Sequence, residues 1–539
     1  MASPSPKSPE QSDKSKKYDR QIRLWGEHGQ SRLDSCHVCL VNATTLGTEI
    51  MKSLVLPGIG AFTIVDGHTI SEIDLETNFL LEQDSVGKSR AEVATKMLLE
   101  LNNDVRGDFV DESVEQLLNN SPDFFDNFTV VYAVSLPERS LIPLSKKLWS
   151  QGIPLIVCKS YGMFGSIRIQ VPEHAVVETH PEHPLPDLRL DKPFPSLTTL
   201  VDAINLSSMG LKDHAHIPYV VLLYKALQEY RKRHPDGHPV KRQEKDELKS
   251  ILKEAKLKDE QGDYYDEENF EEAIRAVNAE IQPSRIPNDV KDILNDPCCI
   301  NLTSRSNPFW IMARALKDFV DGEGGGLLPV RGSLPDMTAE TSRYISLLTA
   351  YHDQAQRDVE SVYRRAQQLL VELNLPPDTI TEKDIKHFCK HSYDLHVVRG
   401  RSISDEVDPR SANTQVIASQ LEDPDSRMPH YVIMRGIDRF YTEYNMYPGH
   451  FDERLEPDIV ELKSIVNKLL GELGVGHIGK DDLIHEFCRY GGLELHSVSA
   501  FLGGCAAQEG IKFITSQYKP INNTFIYDAM TCQSSTFVL

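Results

Sequence analysis

A chain of 539 residues, 40% hydrophobic and 26% charged, has the make-up of a soluble globular protein and is too long for one ordinary domain. Its 58 basic and 80 acidic side chains leave a formal net charge of −22, a field that argues against a general nucleic-acid or anionic-membrane binder. No uninterrupted apolar run reaches the roughly 18 residues a membrane span needs, and nine scattered cysteines do not form a disulfide framework, so cytoplasm or nucleus is expected.

Residues 1–17 are rich in Ser, Pro and Lys and are expected to form a disordered tail. From Tyr18 the character changes. Residues 18–26 predict a short helix ended by Gly26, with Ile22 and Trp25 on one face. Residues 37–41, 62–65, 128–134 and 153–158 read as short apolar strands. Helical stretches at 47–56, 89–102 and 140–150 separate them. This alternation predicts an α/β fold, a Rossmann-like parallel sheet with right-handed crossovers.

Over residues 174–483 the pattern turns mainly helical, with long amphipathic candidates at 219–233, 244–258, 308–320 and 351–374. The acidic run 263–272 lacks the ligand spacing of a calcium loop and reads as a solvated face. α/β character returns at 484–539, where Gly503-Gly504 precedes a helix at 506–514 and residues 523–527 alternate as a strand. The expected organisation is a sheet domain, 18–173 and 484–539, interrupted by a helical insertion.

The strand, turn and helix at 37–56, followed by a strand ending in Asp66, have the layout of a nucleotide-binding βαβ unit. Such a turn uses glycines so that backbone can approach the phosphates. Here the three positions hold Asn42, Thr44 and Gly47, so helix–strand packing can persist at Gly47 while phosphate access is lost. Side chains at Asn42 and Thr44 are expected to crowd a phosphate and to disfavour positive φ. Val86-Gly87-Lys88-Ser89 lacks the first glycine of a phosphate loop and reads as a helix start. Cys36 and Cys39 lie three apart on a strand, facing opposite ways, so core packing is expected and no metal site. The pair Cys298-Cys299 is expected to be buried. Cys505 is placed at a helix start, where a thiol pKa can fall, with tight packing the plainer account.

Tyr18-Asp19-Arg20-Gln21, Leu56-Pro57-Gly58-Ile59-Gly60 before Val65-Asp66-Gly67, and Phe501-Leu502-Gly503-Gly504 with Gln508-Glu509 resemble the ubiquitin-activating enzyme family. With Leu328-Pro329-Val330-Arg331-Gly332 and Asp336-Met337, the resemblance covers residues 18–539 and is strongest to regulatory halves of its heterodimeric members. It implies a pseudo-adenylation domain, whose insertion matches the catalytic-cysteine half without the cysteine. Active relatives have arginine where this chain has Thr77, lysine at Arg90 and a magnesium-holding aspartate at Leu136; Asp66, which would hold ribose hydroxyls, remains. Losing phosphate cradle and metal ligand together should abolish adenylation.

The resemblance further implies that this chain has no catalytic residue, cofactor or metal of its own. ATP and magnesium would belong to a catalytic partner subunit, into whose site Arg20 reaches in trans. That partner would adenylate a cullin-modifying ubiquitin-like modifier, capture it as a thioester and pass it to a conjugating enzyme. Arg20 could instead be a surface arginine paired with Asp19 or Glu27. Met337, Tyr344, Leu348 and Tyr351 form a helical stripe that could face a partner or pack inside this chain. Two rival readings stay open: a self-sufficient nucleotide-dependent adenylyltransferase or dehydrogenase, and a scaffold with no part in catalysis.

Overall fold

Alternation along the first strand already dictates a sheet covered on both faces. The computed structural model describes residues 13–182, 186–235 and 237–539. Strand β1 (His37–Val41) points Val38 and Leu40 into one hydrophobic core and Cys39 and Val41 into another, the period-2 geometry of an extended chain. It lies between β2 (Ala61–Val65) and β4 (Val130–Val134), all parallel. Beyond β2 runs β3 (Arg106–Val110), and beyond β4 runs β5 (Leu155–Tyr161), again parallel. Three antiparallel strands complete the sheet: β6 (Phe164–Gln170), β7 (Thr524–Asp528) and β8 (Gln533–Phe537). The spatial order is β8-β7-β6-β5-β4-β1-β2-β3. The expected α/β fold is what forms, with an antiparallel margin that sequence periodicity did not reveal.

The helices that cover this sheet are α1 (Asp19–Ser35), α2 (Thr45–Val55), α3 (Arg90–Leu101) and α4 (Glu138–Gln151). A fifth, α5 (His496–Thr515), comes from the far end of the chain and packs on α2. A Cβ at Gly503 would lie 2.8 Å from the Cβ of Glu49, so only glycine lets the two backbones come this close. The helix expected at 506–514 therefore starts ten residues earlier, and Gly503-Gly504 lies inside it. Cys505 is mid-helix, and burial followed by the neighbouring Glu509 charge raises its thiol pKa. Thiol activation at a helix start is thus corrected.

The described residues divide into two compact units: those up to Val176 with Val397–Leu539, and Val177–His396. The insertion expected at 174–483 runs past the second unit, because helices Met428–Tyr444 and Leu455–Leu473 pack in one core with Phe164 of β6 and Ile526 of β7. Of the expected tail, residues 1–12 lie outside the described residues, while Asp13–Lys17 is a short helix.

The second unit is helical. Helices Tyr219–Arg233, Arg242–Glu254, Glu268–Glu280 and Thr341–Glu372 bury a core that includes Leu223, Leu248, Phe270 and Tyr351. Tyr351 is wholly buried and donates to the Leu188 carbonyl at 2.5 Å. Met337 precedes the helix and packs against the same core, while Tyr344 and Leu348 are half-buried. Of the stripe left open between a partner face and internal packing, Met337 and Tyr351 pack inside this chain, and Leu347 and Tyr351, four apart, carry the buried side of the helix. Cys299 is buried as expected, but Cys298 is exposed at the edge of the four-residue helix Pro297–Ile300.

Candidate functional site: a nucleotide cleft filled from within

The turn after β1 decides what this cleft can hold. Asn42 takes φ +70°, the conformation a fingerprint glycine would supply, so the expectation that its side chain disfavours positive φ is overturned. Asparagine is among the residues that tolerate this region, and its amide donates to the Val134 carbonyl at 2.9 Å. Thr44 is extended and caps α2 by accepting from the Gly47 N–H at 3.4 Å. Gly47 is required sterically, since a Cβ there would meet the Asn42 carbonyl oxygen at 2.4 Å. The turn keeps its shape with two of its three glycines replaced.

An α-helix leaves its first N–H groups unpaired and its N-terminus partly positive, which is why such turns hold phosphate. Here Glu494, just before α5, accepts from the Leu46 N–H at 2.9 Å and from the Ser135 hydroxyl at 3.3 Å. A carboxylate of the chain itself stands where a phosphate oxygen would sit. Burial pushes the Glu494 pKa up, and the Leu46 N–H and Thr44 hydroxyl act against that rise.

The ribose end is filled as well. Asp66 is fully buried; it accepts from the Ala43 N–H at 2.8 Å, the His68 N–H at 3.0 Å and Arg90 Nε at 2.7 Å. The second Oδ of Asp66 also lies 2.8 Å from His68 Nδ1. Arg90 continues to Asp74 at 3.2 Å. Burial alone would raise the Asp66 pKa, but the His68 hydrogen bond and the Arg90 charge outweigh it and hold it near about 2. Thr77 meets Thr45, hydroxyl to hydroxyl, at 2.9 Å, and Leu136 is buried in the core under β4. The sequence-derived set thus converges on one place, where groups of the chain itself take up the hydrogen bonds of the turn and of Asp66. Glu494 was missed because it lies far along the chain; the one available signal was the return of α/β character near residue 484.

Arg20 belongs to a different surface. Tyr18, buried at 2% exposure, anchors the start of α1 by donating to Asp104 at 3.0 Å and accepting from Asn102 at 2.9 Å. Its ring enters beside Gly58, where φ is +84° and a Cβ would lie 2.6 Å from the hydroxyl. This explains why Tyr18-Asp19-Arg20 and Leu56-Pro57-Gly58 occur together: one holds the other. Arg20, two residues on, is exposed. Asp19 pairs with Arg23 at 3.1 Å, and among the described residues Arg20 makes no ion pair. Gly58→Ala is expected to destabilise the sheet unit by about 1–3 kcal/mol through this clash and the strained φ, read as a lower urea midpoint.

A nucleotide-type strand–turn–helix in a sheet of this order, closed by a helix from the far terminus, defines a class. Residues 18–539 match the ThiF family, and the chain belongs to it. It is 48% identical over 526 residues to the NEDD8-activating enzyme E1 regulatory subunit of Danio rerio, covering 98% of this chain and 99% of that one. The subunit of the same name from Drosophila melanogaster is 47% identical over 541 residues, covering 100% of each chain. That of Caenorhabditis elegans is 37% identical over 541 residues, covering 97% and 99%.

Proposed function

We propose that this chain is the regulatory, non-catalytic subunit of a heterodimeric activating enzyme for the ubiquitin-like protein NEDD8, acting in neddylation. The observation that carries the reading is the self-filled cleft: Glu494 on the helix N-terminus and Arg90 on Asp66. A chain with both ends of its nucleotide site occupied by its own side chains is suited to complete another subunit's site. ATP and magnesium are then held by the catalytic partner, which adenylates the modifier, takes it as a thioester and passes it to a conjugating enzyme for transfer to cullins. Arg20, exposed on an anchored helix, reaches the partner's ATP phosphates as a planar, permanently charged donor.

Other expectations follow. No described helix is long and apolar enough to cross a membrane, and the acidic balance gives no general affinity for nucleic acid. The test is titration of the isolated chain with labelled ATP, beside ATP–pyrophosphate exchange by the chain reconstituted with a catalytic subunit. No binding alone and restored exchange together are the expected result. Micromolar ATP affinity of the isolated chain would sink the reading in favour of a self-sufficient enzyme.

A further inference from the structure

The helical unit holds a group of ligating side chains that the nucleotide cleft does not use. Helix Glu382–Lys390 carries His387 in its last turn and is capped by His391, four residues on, so that the two imidazole rings lie 4.8 Å apart at the helix end. Phe388 and Cys389, between them, are buried. Glu178 approaches from the extended segment at the start of the unit. Its Oε2 lies 3.7 Å from His387 Nε2 and its Oε1 3.8 Å from His391 Nε2. All three ligand atoms fall within 4.8 Å of one another. We propose that Glu178, His387 and His391 form a binding site for a divalent transition ion of the zinc class, with His180, which pairs with Glu178, as a fourth donor.

The chemistry suits that ion. Two imidazoles and a carboxylate are a donor set of zinc sites, and helical i,i+4 histidines face the same point. Bonds of about 2.1 Å in a tetrahedron place ligand atoms about 3.4 Å apart, so side-chain rotation alone brings the three into range. His180 Nε2 is already 3.3 Å from Glu178 Oε1. The His180 backbone sits at φ +48°, a conformation that costs energy for a non-glycine residue. The side chains of the four residues are between 19% and 30% exposed, enough to admit an ion.

Lys390 and Arg331 stand near His391 and oppose a dication. The Arg331 charge is offset by Asp394 at 2.9 Å, and the Glu178 carboxylate supplies the counter-charge within the site. The ion would tie the segment carrying Glu178 to the helix carrying the histidines. Cysteine spacing gave no sign of this site in the sequence, because its carboxylate and its imidazoles lie far apart along the chain.

The test is calorimetric titration of the full, chelator-stripped chain with zinc alone, with visible absorption of the cobalt(II) form as a geometric readout. One equivalent is expected to bind at micromolar affinity or tighter, with the intense bands of a four-coordinate ion and a raised unfolding midpoint. His387→Ala with His391→Ala should weaken binding at least about 100-fold, and Glu178→Gln at least about 10-fold. His387→Gln alone, at the more exposed ligand, keeps the test valid if the double variant unfolds, and should also lose the cobalt bands. Absence of stoichiometric binding by the native chain would overturn the proposal, as would zinc affinity unchanged in folded His387→Gln.

Discussion

Arg20→Ala is expected to lower adenylation by the reconstituted pair by about 1,000-fold, the lower end of what a guanidinium supplied in trans contributes to phosphoryl chemistry. The effect should fall on the rate of ATP–pyrophosphate exchange and leave the stability of this chain alone. The side chain is exposed, and no described residue forms an ion pair with it. Arg20→Lys should recover little, because an ammonium cannot present two N–H donors in a fixed plane to phosphate oxygens. Arg23→Ala is the matched control. It breaks an exposed pair with Asp19 one turn further along the same helix, worth under about 1 kcal/mol, and should leave exchange unchanged. If Arg20→Ala pairs normally with the catalytic subunit and exchanges at the native rate, the arginine is an ordinary surface residue and the chain serves as a scaffold.

That prediction depends on geometry the sequence carried only in part. The central strands were legible because β1, β2, β4 and β5 are apolar on both faces and lie between α-helices, as buried parallel strands do. β3 and β8 were not. Each is a sheet edge with one neighbour, and their sequences, Arg-Gly-Asp-Phe-Val and Gln-Ser-Ser-Thr-Phe, are polar where solvent reaches them. Helix α5 was begun too late because Gly503-Gly504 suggests a break. Its real cause, the close approach to Glu49, is a tertiary contact that no local window contains. The sequence predicts the long helix Thr341–Glu372 only from residue 351, with Tyr344 and Leu348 read as a separate stripe, since the polar start at Thr341-Ser342-Arg343 does not mark a helix beginning.

The site divides in the same way. Departures at Asn42, Thr44, Thr77, Arg90 and Leu136 could be read one by one. What they are replaced with could not: that Asn42 keeps the turn at φ +70°, and that a carboxylate from residue 494 closes it. The sequence reading took Arg90 for a missing lysine. In the fold it is the positive partner of Asp66, which with Gly47 is retained from the nucleotide site.

Arg90→Ala accordingly carries the largest stability effect expected of this chain. Asp66 is wholly buried and Arg90 nearly so, with a 2.7 Å hydrogen bond between them. Removing one partner of a buried ion pair leaves the other charge uncompensated, at a cost of about 3–5 kcal/mol. His68 and the Ala43 N–H remain to Asp66, which places the loss toward the lower figure. The pH dependence gives a second reading. Asp66 titrates near about 2 in the fold against about 3.9 in an unfolded chain. Its contribution is therefore fully present above about pH 4 and is lost as pH falls through about 2. The difference amounts to about 2–3 kcal/mol. Urea unfolding at pH 7 and again between pH 4 and 2 measures both. In the native chain stability should fall steeply across the acid limb, and in Arg90→Ala that limb should be shallower, because the carboxyl no longer gains a guanidinium on folding. An Arg90→Ala chain with unchanged midpoint would mean that water, rather than Arg90, faces Asp66. The ribose end of the cleft would then be open, and with it the case for a site closed by its own side chains.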